Sequence, residues 1–186
     1  SSTVTISQGD RRCVQSLVLL TSDEPDLIRH AEPAPGIDPP AATDTDADEW
    51  QVEIVGGVDI SDPDAVGPPD LDVWTRFPGA PSDPVLDQAL LAFATDGFLI
   101  GTAMRPHAGV GQSQAHKTLS TGVVGHTLTF HEPAPAGDWL LLRHHSSYAG
   151  RGRSYGRADV FTADGMLAAS FVQDAMIRPM EGQARL

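Results

Sequence analysis

The chain has 186 residues, 40% of them hydrophobic, so its length and apolar content predict one folded domain plus an appendage. It carries 25 Asp and Glu against 12 Lys and Arg, a formal net charge of −13; such an acidic chain repels phosphate backbones, which argues against nucleic-acid binding. The sequence contains no run of 18 apolar residues, so no membrane span is predicted. Residues 1–6 lack a signal-peptide pattern, and we therefore expect a cytoplasmic protein.

The acidic residues are concentrated in the first half of the chain. Residues 1–90 hold 18 acids and 4 Lys or Arg, whereas residues 91–186 hold 7 acids and 8 Lys or Arg. The second half is therefore close to neutral, and its charge does not exclude an anionic ligand.

Two short apolar runs at the start of the chain flank a turn. Residues 3–6 and 11–20 lie on either side of Gly9-Asp10, a pattern that predicts a β-hairpin. Two strands alone are rarely stable in water, so the hairpin is expected to pair with the rest of the chain or with another subunit.

The segment that follows the hairpin has a different composition. Residues 31–49 are rich in Pro and Asp, and because prolines stiffen a chain and clustered carboxylates repel each other, they predict a loop or linker. A calcium-binding loop is the alternative, but the segment lacks the Gly and the closing Glu of such a loop.

From Trp50 onward the apolar pattern becomes regular. Alternation predicts strands at residues 50–55 and 71–77, and Asp83-Pro84 predicts the start of a long helix that runs toward Leu99. Four further extended runs follow, at residues 118–130, 139–145, 154–162 and 166–178. A long helix followed by an antiparallel meander predicts an α+β protein in which the sheet wraps around the helix, the hotdog architecture.

Two polar residues interrupt apolar segments. Asp96 lies near the end of the predicted helix, where a buried carboxylate could act as a general base, although a turn Asp before Gly97 gives the same pattern. Gln173 lies in the last predicted strand, where its amide could orient a carbonyl or a water; the alternative is a solvent-facing strand residue.

His126 and a group of arginines are weaker candidates. In a regular strand residues 121, 123 and 125 share one face and His126 lies on the other, and an isolated strand histidine is more often structural than a general base. Arg151, Arg153 and Arg157 could share a strand face and bind an anion such as a phosphate, or they could form ion pairs with the acidic first half.

Six segments that follow one another over residues 50–178 resemble the acyl-CoA thioesterase II family, a double-hotdog (TesB-like) family of thioester hydrolases. The matching segments are Asp72-Val73-Trp74-Thr75-Arg76, residues 88–96, Arg105-Pro106-His107, residues 125–133, Asp138-Trp139-Leu140-Leu141, and Tyr155-Gly156-Arg157 through Asp174. The resemblance identifies this region as the second hotdog of the family.

The resemblance also implies a domain organisation. Residues 1–35 resemble the last strands of the family's first hotdog, with Arg11–Gln15 similar to its penultimate strand. The implied organisation is remnant strands at residues 1–35, a linker at 36–49 and a second hotdog at 50–180.

Members of this family use an Asp on the helix, a Thr or Ser on the next strand and a Gln on the last strand. Asp96 and Gln173 match the first and third positions, whereas the hydroxyl position falls on Val123. Thr121, two residues away, is the substitute that the sequence offers.

The implied reaction is hydrolysis of fatty acyl-CoA to free fatty acid and CoA by direct attack of water, with no metal or other cofactor. Apolar walls such as Phe93, Phe98 and Leu99 would hold the acyl tail, and Arg151, Arg153 and Arg157 would meet the CoA phosphates. Backbone N–H groups near the helix would stabilise the oxyanion, and the protein would form a homodimer or a larger homo-oligomer.

Two alternatives remain at this point. Val123 and the shortened first half favour a catalytically impaired hotdog that binds acyl-CoA or serves as a scaffold. An enoyl-CoA hydratase would pair its Asp with a His five residues later, but Gly101 occupies that position here.

Overall fold

The computed structural model describes residues 1–41 and 50–180, which fall into two compact units, Ser1–Ala31 and Glu32–Leu186. The first unit is the expected hairpin, made of strands β1 (Ser2–Gln8) and β2 (Arg11–Val18). Val4, Ile6 and Val14 lie on one face of this hairpin and are exposed. The hairpin prediction is confirmed.

The second unit contains a six-stranded antiparallel sheet with two helices and two short 3₁₀ turns, Val55–Gly57 and Gln112–Gln114. The sheet order is β3-β4-β6-β7-β8-β5. Its elements are β3 (Gln51–Ile54), β4 (Asp70–Arg76), α1 (Pro84–Ala94), α2 (Leu99–Met104), β5 (Leu119–Phe130), β6 (Leu140–Gly150), β7 (Arg153–Thr162) and β8 (Leu167–Pro179). This arrangement confirms the predicted hotdog fold.

The helical layer begins where the sequence predicts but is not one continuous helix. The Asp83 side chain caps α1 by accepting hydrogen bonds from the backbone N–H of Val85 (2.8 Å) and Leu86 (3.4 Å). Helix α1 ends at Ala94, and Phe98, with φ of 59°, turns the chain before α2 resumes the helical path. The prediction of one helix reaching Leu99 is therefore wrong, because the chain leaves helical geometry around Gly97, a poor helix former.

The inner face of the sheet packs against both helices. Leu91 of α1 and Leu99 of α2 contact a buried cluster on the strands, formed by Leu140, Leu142, Ala158, Val160, Ala169 and Phe171. Each such side chain contributes about 1.5–3 kcal/mol when it is fully buried. This packing fixes the turn between α1 and α2, residues 95–98, above the middle of β7 and β8. We call this turn the helix break.

The outer face of the sheet is covered by residues that precede β3. Trp74, Leu141 and Phe161 form a second buried cluster, against which Ala34 and Ile37 pack. The second unit therefore begins at Glu32, inside the segment expected to be remnant strands and linker. Residues 42–49, which include the Asp-rich stretch weighed as a calcium loop, lie outside the described residues.

One stretch of the described chain, Pro84–Met104, is long and apolar enough to cross a membrane by length and composition alone, with a mean hydropathy of 1.2. In this fold the stretch forms α1 and α2, and Leu91 and Leu99 pack it onto the sheet. The helical layer of a hotdog therefore passes the same test as a membrane span.

Candidate active site

A β-bulge in β5 determines which side chains face the helices. The register with β8 shifts between Val123 and Gly125, so Val123 pairs with Ala175 whereas His126 pairs with Gln173. Directly paired residues share a face, and both pairs therefore lie on the inner face. The prediction that His126 faces away from residue 123 is wrong, because it assumed a regular strand.

Gln173 lies at the centre of the inner face and is only 2% exposed. Its amide Nε2 donates a long hydrogen bond (3.5 Å) to the backbone carbonyl of Asp96 in the helix break. Its Oε1 is buried without a hydrogen-bond partner in the described chain. Leaving such an acceptor unsatisfied costs about 1–3 kcal/mol, so Oε1 is suited to accept a hydrogen bond from a bound molecule.

Asp96 lies in the turn between α1 and α2, above Gln173. The turn is held by backbone hydrogen bonds, and Thr95 Oγ1 donates to the Ala92 carbonyl at 2.8 Å. The Asp96 side chain is exposed in the described chain, so the expected burial of its carboxylate is not observed. The structure thus brings Asp96 and Gln173 together, with the carboxylate at the open side of the site.

His126 is the third polar group of this site; from the sequence alone a structural role was favoured over that of a general base. Its ring packs edge-on against Phe171, with ring centroids 5.4 Å apart. Desolvation by this packing lowers the pKa of His126, and the nearby Asp96 carboxylate acts in the opposite direction. The Asp96 carboxylate therefore acts electrostatically on the His126 ring across the site.

A second histidine, His144, lies behind Phe171 and was not singled out from the sequence. Its ring is fully buried, with centroid distances of 5.8 Å to Phe171 and 5.6 Å to Phe98. Burial lowers its pKa to about 4. Since its Nδ1 lies 3.0 Å from the Leu71 carbonyl oxygen, Nδ1 carries the proton of the neutral ring. Its Nε2 is buried and has no hydrogen-bond partner within residues 1–41 and 50–180.

Thr121 lies on the same inner face but not beside Gln173. It pairs with Ile177, four residues from Gln173 along β8, which corresponds to about 13 Å. Val123, at the position of the family hydroxyl, is the inner-face residue of β5 before the bulge and lies nearer to Gln173. The structure therefore does not bring Thr121 to the site formed by Asp96 and Gln173, and its catalytic role stays a prediction.

The two phenylalanines expected to contact the acyl tail belong to one aromatic cluster, which we call the aromatic wall: Trp50, Phe77, Phe93 and Phe98. Trp50 connects its members, with centroid distances of 5.9 Å to Phe77, 5.3 Å to Phe93 and 6.4 Å to Phe98. Phe93 remains 60% exposed. Trp50 and Phe77 were not expected here, because they come together only through the pairing of β3 with β4.

The three arginines expected to bind CoA phosphates are not on the face that holds Gln173. Arg153 and Arg157 alternate with the buried inner-face residues of β7 and so lie on the outer face. Arg153 forms an ion pair with Asp174 at 3.5 Å, and Arg151 lies in the β6–β7 turn. Contact between these arginines and a ligand stays a prediction.

Known proteins match this chain in sequence and in structure. A family model described as the acyl-CoA thioesterase C-terminal domain matches residues 29–177. Acyl-CoA thioesterase 2 of Haemophilus influenzae is 31% identical over 106 residues, which are 56% of this chain and 36% of the relative. Human acyl-coenzyme A thioesterase 8 is 29% identical over 117 residues, 61% of this chain and 35% of the relative.

A solved structure shows the same architecture. The acyl-CoA thioesterase II TesB2 of Mycobacterium marinum superposes with a TM-score of 0.67 at 28% identity, covering 86% of this chain and 60% of that one. The chain spans about a third of the length of the curated relatives that it matches.

Proposed function

The chain belongs to the acyl-CoA thioesterase C-terminal domain family, and from that premise we propose that it hydrolyses fatty acyl-CoA to free fatty acid and CoA by direct attack of water. The observation that carries this proposal is the meeting of Asp96 and Gln173, which lie 77 residues apart in sequence and are joined at the helix break. Because the Gln173 amide bonds the backbone carbonyl of Asp96, we place a water between the unused acceptor of Gln173 and the carboxylate of Asp96, which would activate it.

In the proposed reaction Asp96 is the general base. It takes one proton from water as the water oxygen bonds to the thioester carbonyl carbon. Gln173 holds the water or the carbonyl through its amide, and backbone N–H groups at the helix break stabilise the oxyanion. The C–S bond then breaks, and the thiolate leaves with the proton returned from Asp96, which balances the reaction as one acid and one thiol.

The aromatic wall supports a fatty acyl substrate. Phe93 and Phe98 flank the helix break that carries Asp96, and Trp50 packs against both rings. Burial of alkyl carbons against such rings contributes about 0.8 kcal/mol for each CH₂ group. We therefore place the acyl tail along this wall, with the thioester carbon at the break.

Release of free thiol from a panel of acyl-CoA esters tests the proposal with the full 186-residue chain. We expect turnover by the wild type and a loss of about 1,000-fold in Asp96→Asn, which keeps the shape but removes the base. Asp83→Asn is the matched control, since Asn also caps a helix and turnover should persist. No thiol release by the wild type, or equal release by Asp96→Asn, would refute the proposal; tight binding without turnover would favour an acyl-CoA-binding protein.

We also propose that the site is completed by pairing with a second copy of the chain. In α1 only Leu91 and Ala94 are buried, whereas Val85 is 74% exposed beside the exposed Phe93. Strand β5 pairs only with β8 among the described strands, and Val124 on it is 60% exposed. An unpaired edge of this length is suited to continue into another sheet, and the exposed apolar residues of α1 are suited to contact the same partner.

Sedimentation of the wild type and of Val124→Lys tests this pairing. We expect a homodimer or larger oligomer that the lysine weakens, together with lower turnover, because a charge on the edge opposes strand pairing. A wild-type monomer with full turnover would exclude it.

A further inference from the structure

The family's hydroxyl position is occupied by Val123, so the proposed water site has one polar group fewer than the resemblance implies. We propose that the imidazole of His126 takes the place of that hydroxyl and holds the attacking water together with Asp96 and Gln173. This inference rests on the proposed thioesterase function and assigns His126 as a catalytic residue, since its ring would touch the reacting water.

The bulge in β5 provides the geometry. Because Val124 is the extra residue, the strand passes from the Val123–Ala175 pair to the His126–Gln173 pair without leaving the inner face. Side chains of directly paired residues have their Cβ atoms about 5 Å apart, so the imidazole of His126 lies next to the amide of Gln173. In a regular strand the imidazole would project from the outer face instead.

His126 is an exposed residue whose ring is supported on one side by Phe171. Phe171, two residues from Gln173 on β8, supports the ring edge-on at 5.4 Å. The ionisable groups that face this part of the inner face are Asp96, from the helix break, and His144, from β6 on the far side of Phe171. Asp174 is adjacent in sequence but lies on the outer face, where it pairs with Arg153.

The chemistry of a neutral imidazole suits this task. Like a hydroxyl, it offers one donor and one acceptor. Asp96 can take one proton of the water while the imidazole accepts a hydrogen bond from the other, and the Gln173 amide donates to the water oxygen. Desolvation favours the neutral ring, so this acceptor is present at neutral pH.

A double-mutant cycle between positions 126 and 123 tests the proposal by thioester turnover. His126→Asn should lower kcat at pH 7 by about 100-fold with little change in KM. Adding Val123→Thr restores the family hydroxyl on the same face and should recover kcat to within about tenfold of the wild type. A merely structural His126 would not be rescued by a hydroxyl at position 123, so strictly additive effects would overturn the proposal.

His131→Asn is the matched control. This histidine directly follows β5, and its Nε2 lies 3.0 Å from Ser170 Oγ, on the outer face. The same substitution there should leave kcat and the pH profile of kcat unchanged. An equal loss in both variants would show a general effect of histidine removal and would count against the assignment.

Titration of the histidine side chains by NMR separates this inference from the thioesterase function. Asp96→Asn should lower the pKa of His126, because it removes the carboxylate that favours the charged ring. An unchanged His126 pKa would overturn the inference even in an active enzyme. A shifted pKa in a chain without turnover would refute the proposed hydrolysis while supporting the contact between the two side chains.

Discussion

The polar side chains on the two faces of strands β7 and β8 differ in their hydrogen-bond and ion-pair partners. On the inner face Gln173 Oε1 and, on the neighbouring β6, His144 Nε2 are buried and have no hydrogen-bond partner among the described residues. On the outer face Arg153 forms an ion pair with Asp174, and Ser170 Oγ donates to Asp159 at 2.6 Å, although Arg153 Nε and Trp74 Nε1 also lack a hydrogen-bond partner in the described chain.

Under the proposed function, the inner face is the reacting surface and the outer face supports it. As an unpartnered buried acceptor Gln173 Oε1 lowers stability, but the proposed reaction has a use for it, whereas partly exposed pairs contribute about 0–1 kcal/mol and need no further role. The inner face should therefore respond to substitution mainly in turnover or pH dependence, and the outer face only weakly in stability. Four expected effects, from the largest to the smallest, test that contrast.

The largest difference is expected at Gln173. Gln173→Leu should lower kcat by about 100- to 1,000-fold, because it removes the amide from the water site. It should leave the melting temperature unchanged or higher, since it replaces an unsatisfied buried amide by an apolar side chain of similar size. Thermal melts and thiol release measure both effects.

Ser170→Ala is the outer-face counterpart for Gln173. It removes the hydrogen bond to Asp159 and should reduce stability by about 1 kcal/mol with kcat unaffected. Equal losses of kcat in the two variants would remove the functional distinction between the faces.

The second effect is a pH dependence of stability that arises from His144. Its pKa is lowered to about 4 when folded and returns to an ordinary value near 6.5 when unfolded, so the unfolded chain binds more protons between these values. The contribution of neutral His144 to the free energy of unfolding is fully present above about pH 6.5. It falls by about 3 kcal/mol as the pH drops to 4.

Urea unfolding from pH 7 to pH 4 of the wild type and of His144→Phe measures this effect. The variant should lose less stability over that range because it has no ring to protonate. Direct NMR titration gives a second check, and a His144 ring that protonates near pH 6.5 in the folded chain would contradict the expectation.

The third effect is steric and concerns Gly156, which pairs with Gln173 on the inner face. A Cβ there would lie 2.6 Å from Leu99 Cδ2 and 3.0 Å from the His145 carbonyl oxygen. Gly156→Ala should therefore cost about 1–3 kcal/mol and lower turnover, because it displaces α2 and the helix break from the sheet.

Gly122→Ala is the matched control on the outer side of β5, where a new Cβ meets nothing within 4 Å. Its stability should stay within about 0.5 kcal/mol of the wild type. Leu99→Ala combined with Gly156→Ala should recover part of the lost turnover, because it removes the side chain that the new Cβ meets. Absence of recovery would show that the contact between Leu99 and Gly156 does not position the helix break.

Local patterns in the sequence were sufficient for much of this fold. Asp83-Pro84 located the start of α1, and alternation located β6, β7 and β8, because capping and strand periodicity are properties of neighbouring residues. Asp96 and Gln173 were located as candidates through their family positions, and the structure places them together.

Features that depend on pairing between distant strands could not be predicted from the sequence. The one sequence feature that indicates the bulge after Val123 is Gly125, because glycine in a strand interior often marks a bulge. The regular strand assumed from the sequence placed His126 on the face away from the site. Likewise, Asp96-Gly97 contained the signal for the helix break, but the apolar periodicity on both sides favoured one helix.

The smallest effect is expected at Arg153 on the outer face. Arg153→Gln removes the 3.5 Å ion pair with Asp174, whose two side chains are both partly exposed, so stability should change by less than about 1 kcal/mol and kcat should not change. The KM for acyl-CoA decides whether this arginine also contacts CoA phosphates. A several-fold rise in KM that weakens at high salt would show such contact, and an unchanged KM would leave Arg153 with the supporting role that the rest of the outer face has.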